Sequence, residues 1–323
     1  MKLLRLTIGL VAAIVLAGNA IAQDWPARPI KLVVPAGPGL SADVLARLMG
    51  DRMSRQLGQP MVVENISGAA GMVGGQAVAR AAPDGYTFYF GLAGALSSNL
   101  FLFKSVPYDP IRDFAPVGMV SESGPFVITV NADAPFKTLP ELIAYAKANP
   151  GKLNYGIDAS SGYQVVIGQL LAKRAGIEMV AVPYRATAQV LQDTVSGINP
   201  VMISAVAAVQ GFVQSGKLRR IAITSGQRFP GLDDLPTVAE TLPGFRVDGW
   251  LAVVAPAGTP EPIINRLNRE IDAFVKEPET QQRLLALGFA TKSAGTPTSI
   301  GQFMRSEIEA WRVLASELNI QPQ

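Results

Sequence analysis

Two hydrophobic rhythms alternate along the chain: short, nearly continuous apolar runs and longer stretches with helical spacing. Pro29-Ile-Lys-Leu-Val-Val34 is β-branched and largely apolar, as a strand covered on both faces should be. Pro35 to Leu40 breaks the run. From Ser41, which can cap a helix, Val44, Leu45, Leu48, Met53 and Leu57 follow helical spacing, and Gly58 is placed to stop it. Met61-Val-Val63 resumes the sheet. A Gly/Ala-rich stretch (Gly68, Gly71, Gly74, Gly75) then runs into a small-residue helix, and Tyr86 to Phe90 forms a strand after the Pro83-Asp-Gly85 turn.

A new β-run begins around Pro125 to Val130. Thr138 and Glu141 make a capping box for a helix reaching Ala148. Leu153-Asn-Tyr155 is a strand, followed by Ser160, Ser161 and a helix carrying Val165, Val166, Ile167, Leu170 and Leu171 until Gly176. Met179 to Val182 leads through Tyr184–Thr187 into a third helix ending at Gly197. Further strands are expected at Val201-Met-Ile203, Arg220 to Ile223 and Trp250 to Val254. Thr259-Pro260 opens a helix with Ile263, Ile264, Leu267, Ile271 and Phe274 inward. A last helix from Pro297 carries Ile300, Phe303, Met304, Ile308, Trp311 and Leu314.

Strand and helix in alternation predict an α/β fold with mainly parallel sheet. There is no repeat, low-complexity segment or Pro/Ser-rich linker. Two lobes are still possible if the chain crosses between them twice, near residues 120–126 and 248–252. Residues 23–123 plus 251–323 would form the first lobe and 124–250 the second. Tyr155 and Trp250 read as core or hinge packing.

Composition narrows the chemistry. The 323 residues include no histidine and no cysteine. That removes Ser-His and Cys-His dyads, the usual zinc sites, redox dithiols and c-type haem attachment. The 28 basic residues against 25 acidic ones lack the surplus that phosphate neutralisation requires, which excludes nucleic acid as a partner. Residues 1–22 have the form of a secretory signal. Lys2 and Arg5 precede an apolar run from Leu6 to Ala17, and Ala20-Ile21-Ala22 is a small-x-small cleavage site. The apolar run is shorter than the ~20 residues a bilayer needs. Its removal takes the 28 basic residues to 26 against 25 acidic, a net charge of +1. A mature protein in the bacterial periplasm, without stable membrane insertion, is expected.

Three turns share one design, a strand end followed by small or polar residues and a helix N-terminus: Ala36–Ser41, Ser160–Gly162 and Arg185–Thr187. First-turn N–H groups and the helix dipole make each a place for an anion, at the carboxyl edge of parallel strands where ligands bind. Asp43 lies in the first turn of its helix, as a structural acid or a ligand contact. Arg185, beside Tyr184, can fork a carboxylate or stay solvated. Two rival readings exist. Gly37-Pro-Gly39-Leu-Ser-Ala42 matches G-x-G-x-x-A after a strand, with Glu64 at the end of the next, as in dinucleotide-binding folds. Export away from the NAD pool weakens it. An exported enzyme would need a general base, and without histidine that leaves Asp43 or Asp158.

Several motifs occur in the order and spacing of one family. They include Pro26-x-Arg28-Pro29-Ile30, Asp43-x-Leu-Ala-Arg47, Leu57-Gly-Gln-Pro60, Val62-Val-Glu-Asn65 and Pro83-Asp-Gly-Tyr-Thr87. Pro150-Gly-Lys-Leu-Asn-Tyr-Gly156, Val182-Pro-Tyr184, Gly216-Lys-Leu-Arg219, Leu235-Pro-Thr-Val-Ala-Glu240 and Ala255-Pro-Ala-Gly-Thr-Pro260 continue the series. Over the whole mature chain this resembles the Bug-type periplasmic receptors of tripartite tricarboxylate transporters. The resemblance implies a monomeric, non-catalytic two-lobed periplasmic binding protein, type II-like, without cofactor or metal. Its ligand cleft would lie between the lobes and close on a small organic acid, which passes to a permease of one large and one small subunit. Positions matching the family's ligand loops are Ala36, Gly37, Pro38, Gly39, Leu40, Ser41 and Asp43, with Leu92 and Ala93 after the third strand. In the other lobe they are Ser160, Ser161, Gly162 and Tyr163, then Tyr184, Arg185, Ala186 and Thr187. Some positions depart from the family's preferences. Ala36, Leu40, Ser41 and Ala42 stand for Phe, Gly, Gly and Thr, Val165 stands for a histidine, and Gly91–Leu96 has lost its hydroxyls. The resulting expectation is a ligand less polar than citrate, an aromatic or short aliphatic acid.

Overall fold

The computed structural model describes residues 25–158, 162–184 and 186–322. The signal-like segment, Ser160, Ser161, Arg185 and the Asp158 side chain lie outside the described residues. Two mixed sheets are joined by one long strand. In the first, β1 (Ile30–Val34) pairs in parallel with β2 (Met61–Asn65) and β3 (Thr87–Leu92). Beside β3, antiparallel, runs β9 (Asp248–Pro256), which pairs with β4 (Phe114–Asn131). In the second sheet β5 (Leu153–Asp158) lies parallel to β6 (Met179–Tyr184) and β7 (Val201–Ala205). The far half of β4 pairs antiparallel with β7 and β8 (Leu218–Ile223).

Parallel pairing is therefore confined to the strands that carry helices at their carboxyl ends, while the linking strands are antiparallel. The sequence pattern showed only the Pro125–Val130 part of β4. The earlier part, Phe114–Gly124, is interrupted by register shifts that blur its alternation.

Each sheet is covered on both faces. On the first, Leu32, Phe88, Phe90, Leu251 and Val253 meet α1 (Ser41–Leu57) and α9 (Glu261–Lys276). Val33, Tyr89, Trp250, Ala252 and Val254 face the other way, with α2 (Met72–Ala79) and the start of α11 (Pro297–Glu317). In the second lobe Ile128, Tyr155 and Ile203 pack with α4 (Leu139–Ala148) and α5 (Gly162–Ala175). Val127, Met202 and Ile223 form the opposite core with α6 (Thr187–Val195) and α7 (Val206–Gln214). Successive residues thus serve opposite faces, as a strand's period of two requires.

Three further helices complete the chain: α3 (Asn99–Leu102), α8 (Val238–Thr241) and α10 (Pro278–Leu287). The last helix does not return wholly to the first lobe. Ile300 and Met304 sit in the first lobe's core, whereas Trp311, Leu314 and Leu318 pack on the second. Arg174 at the end of α5 holds the Glu317 carboxylate with two hydrogen bonds, 2.9 and 3.0 Å. A boundary that gives 251–323 to one lobe therefore does not follow the packing.

Candidate functional site

The β1–α1 turn is braced from beneath. Asp43, buried in the first turn of α1, accepts from the Gly39 N–H (2.8 Å), Arg47 Nε (3.0 Å) and Asn65 Nδ2 (2.7 Å). Asn65 also reaches the Ala36 carbonyl (2.8 Å) and accepts from Arg47 (2.8 Å). Burial alone would raise the Asp43 carboxyl. The hydrogen bonds from Arg47, Asn65 and Gly39 outweigh it and hold the group down at about 2. Asp43 is thus committed to its own loop, and a base with that affinity for protons cannot serve general-base chemistry at neutral pH.

The rival dinucleotide reading loses two supports here. Glu64 is ion-paired with Lys31 (2.6 Å) on the surface, and the Gly39 amide is already used.

Ser41 is the first helical residue, not the cap. Leu40 takes the N-cap position, 59 % exposed, and offers no side-chain hydrogen bond. The same holds for Ala186 before α6 and Ala205 before α7, helices with no acidic residue in the first turn. Elsewhere the chain supplies the expected residue: Thr138, Thr237 and Thr296 cap α4, α8 and α11 through their hydroxyls. At these three starts the N-cap residue, among the described residues, contributes no side-chain hydrogen bond, a setting in which a helix N-terminus can favour an anion by roughly 0.3–1 kcal/mol.

The edges of the two lobes face each other. After β3, Leu92 is half-buried and Ala93 buried, and a π-helical turn (Gly94–Ser98) follows. A β-carbon added at Gly94 would lie 3.7 Å from the Tyr163 ring, and one at Gly162 would lie 2.8 Å from Leu102. Tyr163 stacks on Phe126 (5.4 Å) and meets Trp311 edge-on (4.8 Å). Its hydroxyl lies beside Ser97 and Ser98. Tyr163 Oη and Ser98 Oγ are both buried without a full hydrogen bond among the described residues, and burial pushes the phenol well up.

Pro38 and Gly39 are exposed at the loop tip, whereas Ala36 is buried and Gly37 partly so. In the second lobe Tyr184 donates to Asp193 (2.7 Å) and accepts from Asn199. Desolvation, followed by that bond to Asp193, pushes its phenol up to about 12. Its hydroxyl is turned into the lobe. Ala186 is exposed and Thr187 half-buried at the start of α6.

Sequence reasoning missed Ala205, because a strand running directly into a helix leaves no turn signature. It also missed the linking-strand pair Ser123–Asp248. Asp248 Oδ2 accepts from Ser123 Oγ (3.0 Å) and Oδ1 from the Gly124 N–H (3.2 Å).

Two lobes linked by crossing strands, with helix starts at the carboxyl ends of parallel strands in each, define the architecture of periplasmic binding proteins. Comparison with known proteins places the chain more closely. Residues 45–320 match the tripartite tricarboxylate transporter family receptor. Protein BugT of Bordetella pertussis is 35 % identical over 309 residues, covering 95 % of this chain and 94 % of BugT. Among solved structures, R. palustris Rpa4515 with adipate superposes with a TM-score of 0.83 at 34 % identity. It covers 93 % of this chain and all of its own. MatC from Rhodopseudomonas palustris, with bound malate, gives 0.75 at 31 % identity, over 90 % of this chain and 99 % of its own. The chain belongs to the Bug-type receptor family of the tripartite tricarboxylate transporters, a family of solute-binding receptors and not of enzymes. Among the described residues no helix is long and apolar enough to cross a membrane.

Proposed function

We propose that the chain is a periplasmic receptor that closes its lobes on a small carboxylate and delivers it to a permease of one large and one small subunit. The observation that carries this reading is the set of uncapped starts of α1, α6 and α7 at strand carboxyl ends of the two lobes, where Leu40, Ala186 and Ala205 stand in place of capping side chains. A ligand carboxylate supplies the acceptor that those residues lack. A ligand touching both edges binds the closed state better than the open one and shifts the population towards it. The named solutes of Rpa4515 and MatC, adipate and malate, are both dicarboxylates, which supports the ligand class.

Apolar residues around the cleft favour apolar ligand atoms beside the carboxylate. Leu40 at the loop tip and half-buried Leu92 fit an aromatic or short aliphatic acid better than citrate. The contacts are assigned to Ala36–Ser41, Leu92, Ala93, Ser160–Tyr163 and Tyr184–Thr187, with Asp43 as the brace beneath. The mature, monomeric protein begins at Gln23 after signal cleavage. A thermal-shift screen against mono-, di- and tricarboxylates tests the reading, since a ligand at 100 times its Kd adds about 2.7 kcal/mol to the folded state. Stabilisation by benzoate-like or short aliphatic acids is expected. Tight citrate binding with no response to those acids overturns the ligand assignment, and no response to any carboxylate overturns the receptor.

A further inference from the structure

The two linking strands come closest at Gly124 and Gly249, where a β-carbon on Gly249 would sit 3.0 Å from the Gly124 carbonyl. One residue before Gly249, on β9, Asp248 fastens β4 through Ser123 Oγ and the Gly124 N–H. It is 8 % exposed and lines a cavity of about 750 Å3. One wall of that cavity is Gln281, Leu285 and Ala290–Lys292, from α10 and the segment after it, which touches both cores: Leu284 lies in the first lobe's core, whereas Leu285 and Ala290 pack on the second. The other wall is Ser225–Pro230 of the second lobe. Asp248 therefore sits where the chain passes between the lobes, at the edge of a space that a change in lobe angle would open or close to water.

We propose that Asp248 is a positioning residue whose ionisation sets the angle between the two lobes. The inference rests on the receptor reading, in which that angle governs binding. The charged groups facing Asp248 come from every neighbouring element. Arg246, just before β9, favours the carboxylate, whereas Glu307 of α11 disfavours it. Arg246 is itself bound to Glu307 (2.9 Å). Glu122, Arg228 and Lys292 line the same cavity, Arg228 being held by Glu240. Burial is the largest influence and pushes Asp248 up to about 6.

A carboxyl raised in the described arrangement takes up its proton more readily there than when hydrated. Acid therefore favours this arrangement, and as pH rises from about 4 to about 6 the balance moves towards one in which the cavity wets Asp248, with no further change above that. Against an ordinary value of 3.8, the full bias is on the order of a hundredfold. The chain contains no histidine, the side chain that ordinarily titrates near the upper end of this window.

Small-angle scattering of the ligand-free mature protein from pH 3.5 to 8 tests this. The radius of gyration should increase through a single step between about pH 4 and 6 and stay level above it. Asp248→Asn should remain at the compact value throughout. Ser123→Ala, which removes a hydrogen bond that favours the carboxylate, should move the midpoint upwards while still folding. A flat wild-type profile, or an unchanged step in Asp248→Asn, overturns the proposal. Should Asp248→Asn fail to fold, an unmoved midpoint in Ser123→Ala overturns it equally. Because no ligand is present, a pH-dependent lobe angle in a protein that binds no carboxylate would sink the receptor reading and leave this one standing.

Discussion

Replacing Asp43 by Asn keeps the shape of the side chain and one oxygen but removes the charge that organises the β1–α1 turn. The native carboxyl titrates at about 2 instead of the ordinary 3.8. At about 1.36 kcal/mol per pH unit, that difference corresponds to roughly 2.5 kcal/mol. Asp43 itself is 2 % exposed, but Arg47 is half exposed, so solvent screening lowers the part owed to the ion pair. A loss of about 1–2 kcal/mol is expected for Asp43→Asn, or a fall in Tm of about 2–5 °C for a chain of this size. The sign with pH is fixed by the direction of the shift. A depressed carboxyl contributes its full stability above pH ~4 and loses it as the pH falls towards 2. Urea titrations of the wild type and the variant at pH 7 and at pH 2.5 should therefore differ by the full amount at the first and by only about a third of it at the second. Equal stability at pH 7, or a gap that persists undiminished in acid, would refute the brace. Freed from the carboxylate, the Gly39 amide loses its fixed direction, so carboxylate affinity in the thermal-shift screen should fall as well.

Two other substitutions probe the frame around the site. Gly168→Ala on α5 would drive a methyl into the buried Tyr155 ring, with a cost of about 1–3 kcal/mol read from the urea midpoint; unchanged stability would mean that helix and strand are less tightly seated than described. Trp311→Ala removes the aromatic that meets Tyr163 and fills the second lobe's core, with an expected loss of about 3–5 kcal/mol by the same assay.

Elements with a strong local signal were legible in the sequence. The apolar run of β1, the helical spacing of α1 and its glycine stop at Gly58, left-handed at φ 71°, all appear where expected. Thr138 caps α4 as read, although Glu141 reaches back to the Lys137 amide instead of to Thr138 itself. Ser41 misled because serine is the better cap by propensity, yet the chain turns one residue earlier and leaves Leu40 there. Thr259 was a similar case: its hydroxyl closes on the Pro256 carbonyl, and α9 starts after Pro260. Neither the Asp43–Asn65 brace nor the Ser123–Asp248 fastening could be read, because each joins residues far apart in the chain. Their pairing is a property of sheet register, which local patterns do not encode.

The final helix, lying against both cores, carries a thermodynamic consequence. Its 21 residues span about 31 Å as one rigid rod. Melting either hydrophobic centre strips that rod of half its support, so the halves should denature together in a single calorimetric peak, even though each has enough interior to make a separate transition conceivable.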